Sequence, residues 1–447
     1  MRTSKKILNV VILLAMLGVF LTATAFSFTP YGSKSQLIWD EFRKQEQIDT
    51  VAIGSSLMAR AYDPEAIDAE FGTNSFNLST PGQQIPESYL GLKEAIEHHD
   101  IERVFYGVDF ATFQSYSELY PGRVFLNEKW KGDPFFDRFG DLSYALDNAD
   151  WMFNEKSINW MFPWTEQHVK DNFKGLLKNI RMQVDGTSLK DAAEVNEPGW
   201  SYRTKGYGNY SSVVNYNAGK PTVFADKYKP RALDEDSLRR LDELITLCND
   251  NNIEFIAMVP PMPDYSLISL KKVYENNSLE LKAFVEERGG KYYDLNLAKP
   301  EIFQSRENYY ADYQHCNFDG ASASSVALGK LIEASEAGQN VDDLFLTLDE
   351  RLDNMDYISL VRFKDSYADG GVKLTATSYA GNKVEVEYRF LEVDPDTKEQ
   401  TVLRDYDTEP TFVYTPEESG RHLIRLEARK VGDNAIFSRY SEHSIWF

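Results

Sequence analysis

Asp49-Thr50-Val51-Ala52-Ile53-Gly54-Ser55-Ser56 decides how the first half of this chain is organised. It reads as a short apolar strand running into a small-residue turn that ends in serine. A serine on a strand-to-helix turn presents its hydroxyl at the rim of a sheet. Working outward, the pattern repeats. A strand at 75–78 is followed by a helix at 86–98 and a strand at 103–108. After a long gap come a helix at 234–249, a strand at 253–259, a helix at 266–288, a strand at 291–296 and a helix at about 320–335. Apolar strands alternating with amphipathic helices predict a parallel sheet covered on both faces, an α/β fold. In open sheets of this kind ligands bind outside the carboxyl ends of the strands. Gly54–Ser56, Gly82, Asp109 and the Pro260-Pro261-Met262-Pro263 turn all follow strand ends.

A second stretch, Asp312-Tyr-Gln-His315-Cys-Asn317-Phe-Asp-Gly320, carries the other half of a chemistry. The chain has six histidines, and only His315 has an aspartate three residues before it and this neighbourhood after it. A histidine so placed can take the proton of a serine hydroxyl while the aspartate holds the imidazole. Ser56 as a plain turn serine and His315 as a structural histidine are the bland alternatives. The pairing of the two segments favours an acyl-transfer site.

Gly54-Ser55-Ser56, Asn77-Leu-Ser-Thr-Pro-Gly82-Gln83 and Asp312-x-x-His315 together resemble the SGNH (GDSL-type) hydrolase superfamily. The likeness is to its extracytoplasmic branch that acts on cell-surface polymers, the DltD-type and polysaccharide O-acetylation proteins, and it spans roughly residues 36 to 345. It implies a flavodoxin-like three-layer fold. It makes Ser56 the nucleophile, His315 the base, Asp312 its orienter, and the N–H groups of Ser56 and Gly82 the oxyanion donors, with Gln83 beside them. It needs no cofactor. The acyl group passes to water or to a sugar or polyol hydroxyl, and a membrane-bound O-acyltransferase is the implied donor. The substrate implied is a surface polysaccharide or teichoic-type polymer. The sequence departs from the family at one block. Where an asparagine usually donates to the oxyanion, strand Arg103–Val108 ends in Asp109, and an ionised aspartate only accepts. Either Asp109 is protonated, or it has another task, or Gln83 or Gln84 supplies the donor. Two other readings stay open: a non-catalytic carbohydrate-binding or assembly protein on a degenerate SGNH scaffold, and a secreted carboxylesterase or lipase.

Composition narrows the field. Seventy acidic against 48 basic side chains leave a net charge of −22, which argues against a nucleic-acid partner. At 447 residues the chain exceeds one ordinary core. Arg2, Lys5 and Lys6 precede an apolar run from Ile7 to Phe28, long enough to span a bilayer with the body outside. Residues 1–30 therefore form a membrane anchor; the alternative is a leader cleaved near Ala23-Thr-Ala25. Cys248 and Cys316 read as two buried free thiols, and no Cys/His spacing suggests a metal site.

The SGNH-like domain covers 31–350, with an aromatic-rich insert at about 111–232. The insert holds Trp130, Trp151, Trp160, Trp164 and Trp200 with Tyr202, Tyr207 and Tyr210. Aromatic faces there suit sugar rings, but aromatic residues more often build a core. From 355 to 447 short segments alternate with period two, as in Val372-Lys-Leu-Thr-Ala-Thr and Val384–Phe390. Turn residues separate them, which predicts an Ig-like or fibronectin-like β-sandwich.

Overall fold

The computed structural model describes residues 2–28, 31–113, 174–217, 219–228, 231–368 and 370–447. Helix α1 (Arg2–Phe28) is followed by α2 (Lys34–Phe42). Next come β1 (Thr50–Gly54), α3 (Ser56–Ala61), α4 (Pro64–Phe71), β2 (Ser75–Asn77), α5 (Ile85–His98) and β3 (Arg103–Gly107). Beyond residue 173 lie α6 (Lys174–Val184), α7 (Leu189–Asn196) and a hairpin of β4 (Trp200–Thr204) and β5 (Tyr207–Tyr210). The second half adds α8 (Glu235–Asp250), β6 (Glu254–Val259), α9 (Asp264–Ser269), α10 (Leu279–Glu286), β7 (Lys291–Asp294) and α11 (Phe318–Glu336).

Five strands form one parallel sheet in the order β2-β1-β3-β6-β7. This is the flavodoxin-like order 2-1-3-4-5. β1 pairs with β2 from Thr50↔Ser75 and with β3 from Thr50↔Arg103 to Gly54↔Gly107. Val51, Ala52, Ile53, Val104 and Phe105 are wholly buried, as strands covered on both faces require. Two glycines set the geometry at the end of the β1/β3 pair. Gly54 has φ +145°, and a Cβ on it would stand 3.1 Å from the Gly107 carbonyl oxygen. A Cβ on Gly107 would stand 2.3 Å from Met58 Cβ. Glycine at both positions lets α3 rest directly on the strand ends.

The expected helix over 266–288 is interrupted. Helical hydrogen bonding tightens at Leu270, widens to a π turn over Tyr274–Ser278 and resumes as α10. Asn276, Asn277 and Ser278 are weak helix formers whose side chains compete for backbone partners. Asn277 Nδ2 indeed donates to the Arg231 carbonyl at 2.7 Å.

The C-terminal region is a sandwich of two antiparallel sheets. β8 (Ile358–Ala368), β9 (Gly371–Ala380) and β12 (Thr411–Tyr414) form one, in the order β12-β9-β8. The other runs β11-β10-β13-β14, from β10 (Val386–Val393), β11 (Gln400–Asp407), β13 (Arg421–Lys430) and β14 (Arg439–Trp446). Alternate residues point inward. Val372, Leu374 and Ala376 of β9 meet Phe390, Ile424, Leu426 and Ile445 in a single core.

The chain divides into two compact units. One is Met1–Tyr210, Asp234–Ala257 and Arg288–Gly290; the other is Ser211–Leu233, Met258–Glu287 and Lys291–Phe447. Within the second, Leu360 and Tyr379 of the sandwich share a small core with Tyr216, Val223 and Tyr265. Ion pairs Arg351–Asp264, at 2.6 Å, and Arg362–Asp226, at 2.5 Å, border it.

Of the insert, Trp130, Trp151, Trp160 and Trp164 lie outside the described residues. Trp200, Tyr202 and Tyr207 are buried, and the first two pack with Leu37 and Ala193. These three aromatic residues build core rather than a sugar platform.

Candidate active site

Ser55 and Ser56 follow β1 directly. Ser55 is the N-cap of α3: its backbone is extended and its Oγ accepts the Leu57 N–H at 3.3 Å. Ser56 is the first residue of the helix and is partly exposed. The chain order of the sheet reverses between β1 and β3. A crevice opens at such a switch point, and Ser56 and Asp109 leave from its two sides.

Asp109 is an acceptor at both oxygens. Oδ2 accepts the Ser55 hydroxyl at 2.9 Å and Oδ1 accepts the Ala111 N–H at 3.0 Å. Its own carbonyl accepts the Thr112 N–H at 2.7 Å, closing the short 3₁₀ turn Phe110–Phe113. Asp109 therefore takes the second of the three roles left open by the sequence. It braces the serine turn through Ser55 and does not stand in for the missing donor. This contact was readable in principle. Once Gly54 pairs with Gly107, the residues just beyond them are neighbours.

Gly82 lies in a turn tied back to β1. The Thr80 N–H donates to the Gly54 carbonyl at 3.2 Å, and Leu78 N–H to the Ala52 carbonyl at 2.8 Å. Gly82 has φ +73° and is exposed. Gln83 is buried, and its amide ties this turn to α5. Oε1 accepts from Thr80 N and Oγ1 at 2.9 and 3.0 Å, and Nε2 donates to Ser88 Oγ at 3.1 Å. Gln84 Nε2 donates to the Gly82 carbonyl at 2.9 Å. Gln83 thus shapes the loop that carries Gly82, using its Oε1 and one of its two amide hydrogens.

The second unit holds the acid–base half. Asp312 and His315 meet as their spacing predicts. His315 Nδ1 lies 3.0 and 2.9 Å from the two Asp312 oxygens. Oδ1 also accepts the N–H groups of Gln314 and His315, at 2.9 and 3.0 Å. The carboxylate so folds its own turn and grips the ring it orients. Nδ1–H donating to Asp312 leaves Nε2 as the basic nitrogen. Nε2 lies 3.4 Å from Gln314 Nε2. The loop is pinned on both sides. Ala311 N–H donates to the His315 carbonyl at 2.9 Å, and Asn317 caps α11 through Gly320 N–H at 3.1 Å. A Cβ on Gly320 would stand 2.1 Å from the Tyr309 carbonyl oxygen, so the close approach needs glycine.

Burial shapes the titration of the neighbours. It raises the Tyr265 hydroxyl, and the charge of Asp312 adds to the effect, so Tyr265 stays neutral. At the end of β7, burial pushes the Asp294 carboxyl up to about 7, opposed by hydrogen bonds from Asn296. Cys248 and Cys316 are both buried and form no disulfide. Among the described residues no group of three or more His, Cys, Asp or Glu side chains could hold a metal ion.

No protein-family model and no curated protein sequence matches the chain. Solved structures do. A GDSL-like lipase from Bacteroides thetaiotaomicron aligns at 9% identity over 68% of this chain and 98% of that one, with a TM-score of 0.30. A protein from Streptococcus pneumonia, provisionally called a platelet activating factor, aligns at 9% identity over 72% of this chain and 98% of that one, with a TM-score of 0.28. At that level of likeness neither decides the chemistry, which rests on the residues described above.

Proposed function

We propose that this chain is an extracytoplasmic serine esterase or O-acyltransferase, tethered by α1, that works on a cell-surface polysaccharide or teichoic-type polymer through an acyl-enzyme. The observation that carries the reading is the Asp312–His315 pair, an imidazole whose Nδ1 is held by a carboxylate at 2.9 Å. Such a ring is a general base at Nε2. In the proposed reaction His315 Nε2 takes the Ser56 hydroxyl proton as Oγ attacks the ester carbonyl. The C–O bond to the leaving alcohol breaks, and the imidazolium returns the proton to that alcohol. The N–H groups of Ser56 and Gly82 are the proposed oxyanion donors. Water or a sugar hydroxyl then attacks the acyl-serine with His315 again as base. Ser55 and Asp109 keep the serine turn in shape.

The polymer and the acyltransferase partner rest on the resemblance of the three sequence blocks to the surface-polymer branch. The tether rests on α1, which over Lys5–Thr24 is long and apolar enough to cross a membrane. A cleaved leader passes the same test. Turnover of an aryl acetate by the full chain, with and without wall glycopolymer, tests the reading. Faster release of the phenol with the polymer, and acetyl groups appearing on it, support transfer. Turnover indifferent to polymer points to the plain carboxylesterase.

One observation favours the non-catalytic alternative. Asp109 accepts at both oxygens, so it offers no third oxyanion donor. A well-folded sample that forms no acyl-enzyme yet binds the polymer would decide for it.

A further inference from the structure

The point where the apolar helix ends is stitched to α6 and α7. Gln183 Nε2 of α6 donates to the Phe26 carbonyl at 2.9 Å, in the last turn of α1. The Tyr31 hydroxyl donates to the Thr187 carbonyl at 2.7 Å. Asn196 Nδ2 of α7 donates to the carbonyls of Tyr31 and Gly32, at 2.8 and 3.1 Å. Gly32, at φ +74°, sits so close to α7 that a Cβ on it would stand 2.3 Å from Ala192 Cβ. α6 is thereby fixed at the foot of the apolar helix.

The sequence of α6 suits that place. At 100° per residue, Leu177, Arg181 and Val184 fall on one side, and the buried Asn179 and Met182 on the other. Leu177 is 69% exposed and Val184 71%. Lys178 and Arg181 are exposed beside this ridge. No acidic residue occurs between 174 and 184, in a chain with 70 of them. Val195 of α7 adds a further exposed apolar side chain. A single exposed leucine is ordinary. Within the helix the ridge is flanked by cations alone, the first acid being the exposed Asp185 just past Val184, and at the exit of an apolar span this pattern fits a bilayer surface.

We propose that α6 is an interfacial helix, its Leu177–Val184 ridge inserted at headgroup level into an anionic bilayer while Lys178 and Arg181 contact lipid phosphates. This rests on the reading of α1 as an uncleaved anchor. The span alone would leave the body free to swivel; a second contact fixes its attitude to the membrane.

The test uses the full chain with Leu177→Cys carrying an environment-sensitive fluorophore, both native thiols being buried. It is reconstituted with vesicles of phosphatidylcholine, alone or mixed with phosphatidylglycerol, containing headgroup-level spin-labelled lipid. The expected result is flotation with vesicles of either composition, and quenching that is strong only with phosphatidylglycerol. Lys178→Gln and Arg181→Gln should each lower the docking equilibrium about fivefold. Flotation without quenching overturns the interfacial helix and leaves the anchor standing. A blue-shifted but unquenched probe means that protein covers the ridge, and overturns it equally. Failure to float overturns the anchor, and this inference with it.

Discussion

Replacing Asp312 with asparagine separates the two tasks of this side chain. Both backbone N–H groups that build the turn, from Gln314 and His315, go to Oδ1. An asparagine keeps an oxygen there, so the loop is expected to fold. The other position, 2.9 Å from His315 Nδ1, becomes an NH₂ donor. It competes with the oxygen kept at Oδ1, 3.0 Å from Nδ1, so the tautomer protonated at Nδ1 is held less firmly and Nε2 is less available to accept the serine proton. The carboxylate's attraction for the imidazolium formed during reaction is lost as well. At ~3 Å and an effective dielectric of about 20 to 40, that attraction is roughly 3–6 kcal/mol. The Asp312 side chain is 38% exposed, which places it at the lower end. About 3 kcal/mol is about 10²-fold in rate, and the weaker hold on the Nδ1–H tautomer extends the expected loss toward 10⁴. The assay is the second-order rate of labelling by a fluorophosphonate against pH, with circular dichroism as the folding control. Asp312→Ala, which removes the turn acceptor too, should lose thermal stability as well as rate. Labelling of Asp312→Asn within about threefold of wild type would show that the carboxylate does not drive the imidazole's basicity.

Ser55→Ala and Asp109→Asn should retain labelling, reduced by no more than about tenfold, because both groups shape the turn and take no proton; loss as complete as in Ser56→Ala would put the chemistry on Ser55. Gly107→Ala drives a methyl to 2.3 Å from Met58 Cβ and should cost about 1–3 kcal/mol in urea unfolding; an unchanged midpoint would show that α3 can shift freely. The buried Asp294, raised to about 7 by its surroundings, holds a proton in the folded protein that the unfolded chain releases near pH 4. Its contribution to stability is therefore full below about pH 4, falls as pH rises toward 7, and is flat above. Asp294→Asn should flatten the slope between pH 4 and 7, and a slope equal to wild type would contradict this. Residues 355–447 contain the whole sandwich core, so that fragment should unfold cooperatively with a β-type spectrum; a disordered spectrum would mean that Leu360 and Tyr379 need their cover from Tyr216 and Tyr265.

The α/β core was legible because each strand is a short apolar run bounded by turn residues, and α8 and α11 have clear apolar stripes. β9, β10, β13 and β14 were legible from strict alternation. β8, β11 and β12 were not singled out: β8 is buried at one end and exposed at the other rather than alternating, and Gln400–Asp407 is mostly exposed at a sheet edge, where burial imposes little pattern. The break before α10 was missed because a long amphipathic run hides three weak helix formers. In the candidate site the i, i+3 pair Asp312–His315 was readable, since local spacing alone brings it together. The Ser55–Asp109 bond joins residues 54 positions apart and needs the β1/β3 register first. The bonds of Gln83 to Thr80 and Ser88 were not readable, because a polar residue beside a turn glycine suggests a ligand contact just as well as a loop brace.

In the proposed mechanism Ser56 forms an acyl-enzyme with His315 as base. Mass-spectrometric mapping of the adduct, after treating the full chain with a fluorophosphonate, tests it most directly. One modified residue, Ser56, is expected in wild type, with a labelling rate at least about 10²-fold lower in His315→Ala. An adduct on another residue, an adduct on Ser56 at an undiminished rate in His315→Ala, or no adduct in well-folded wild-type protein would contradict it.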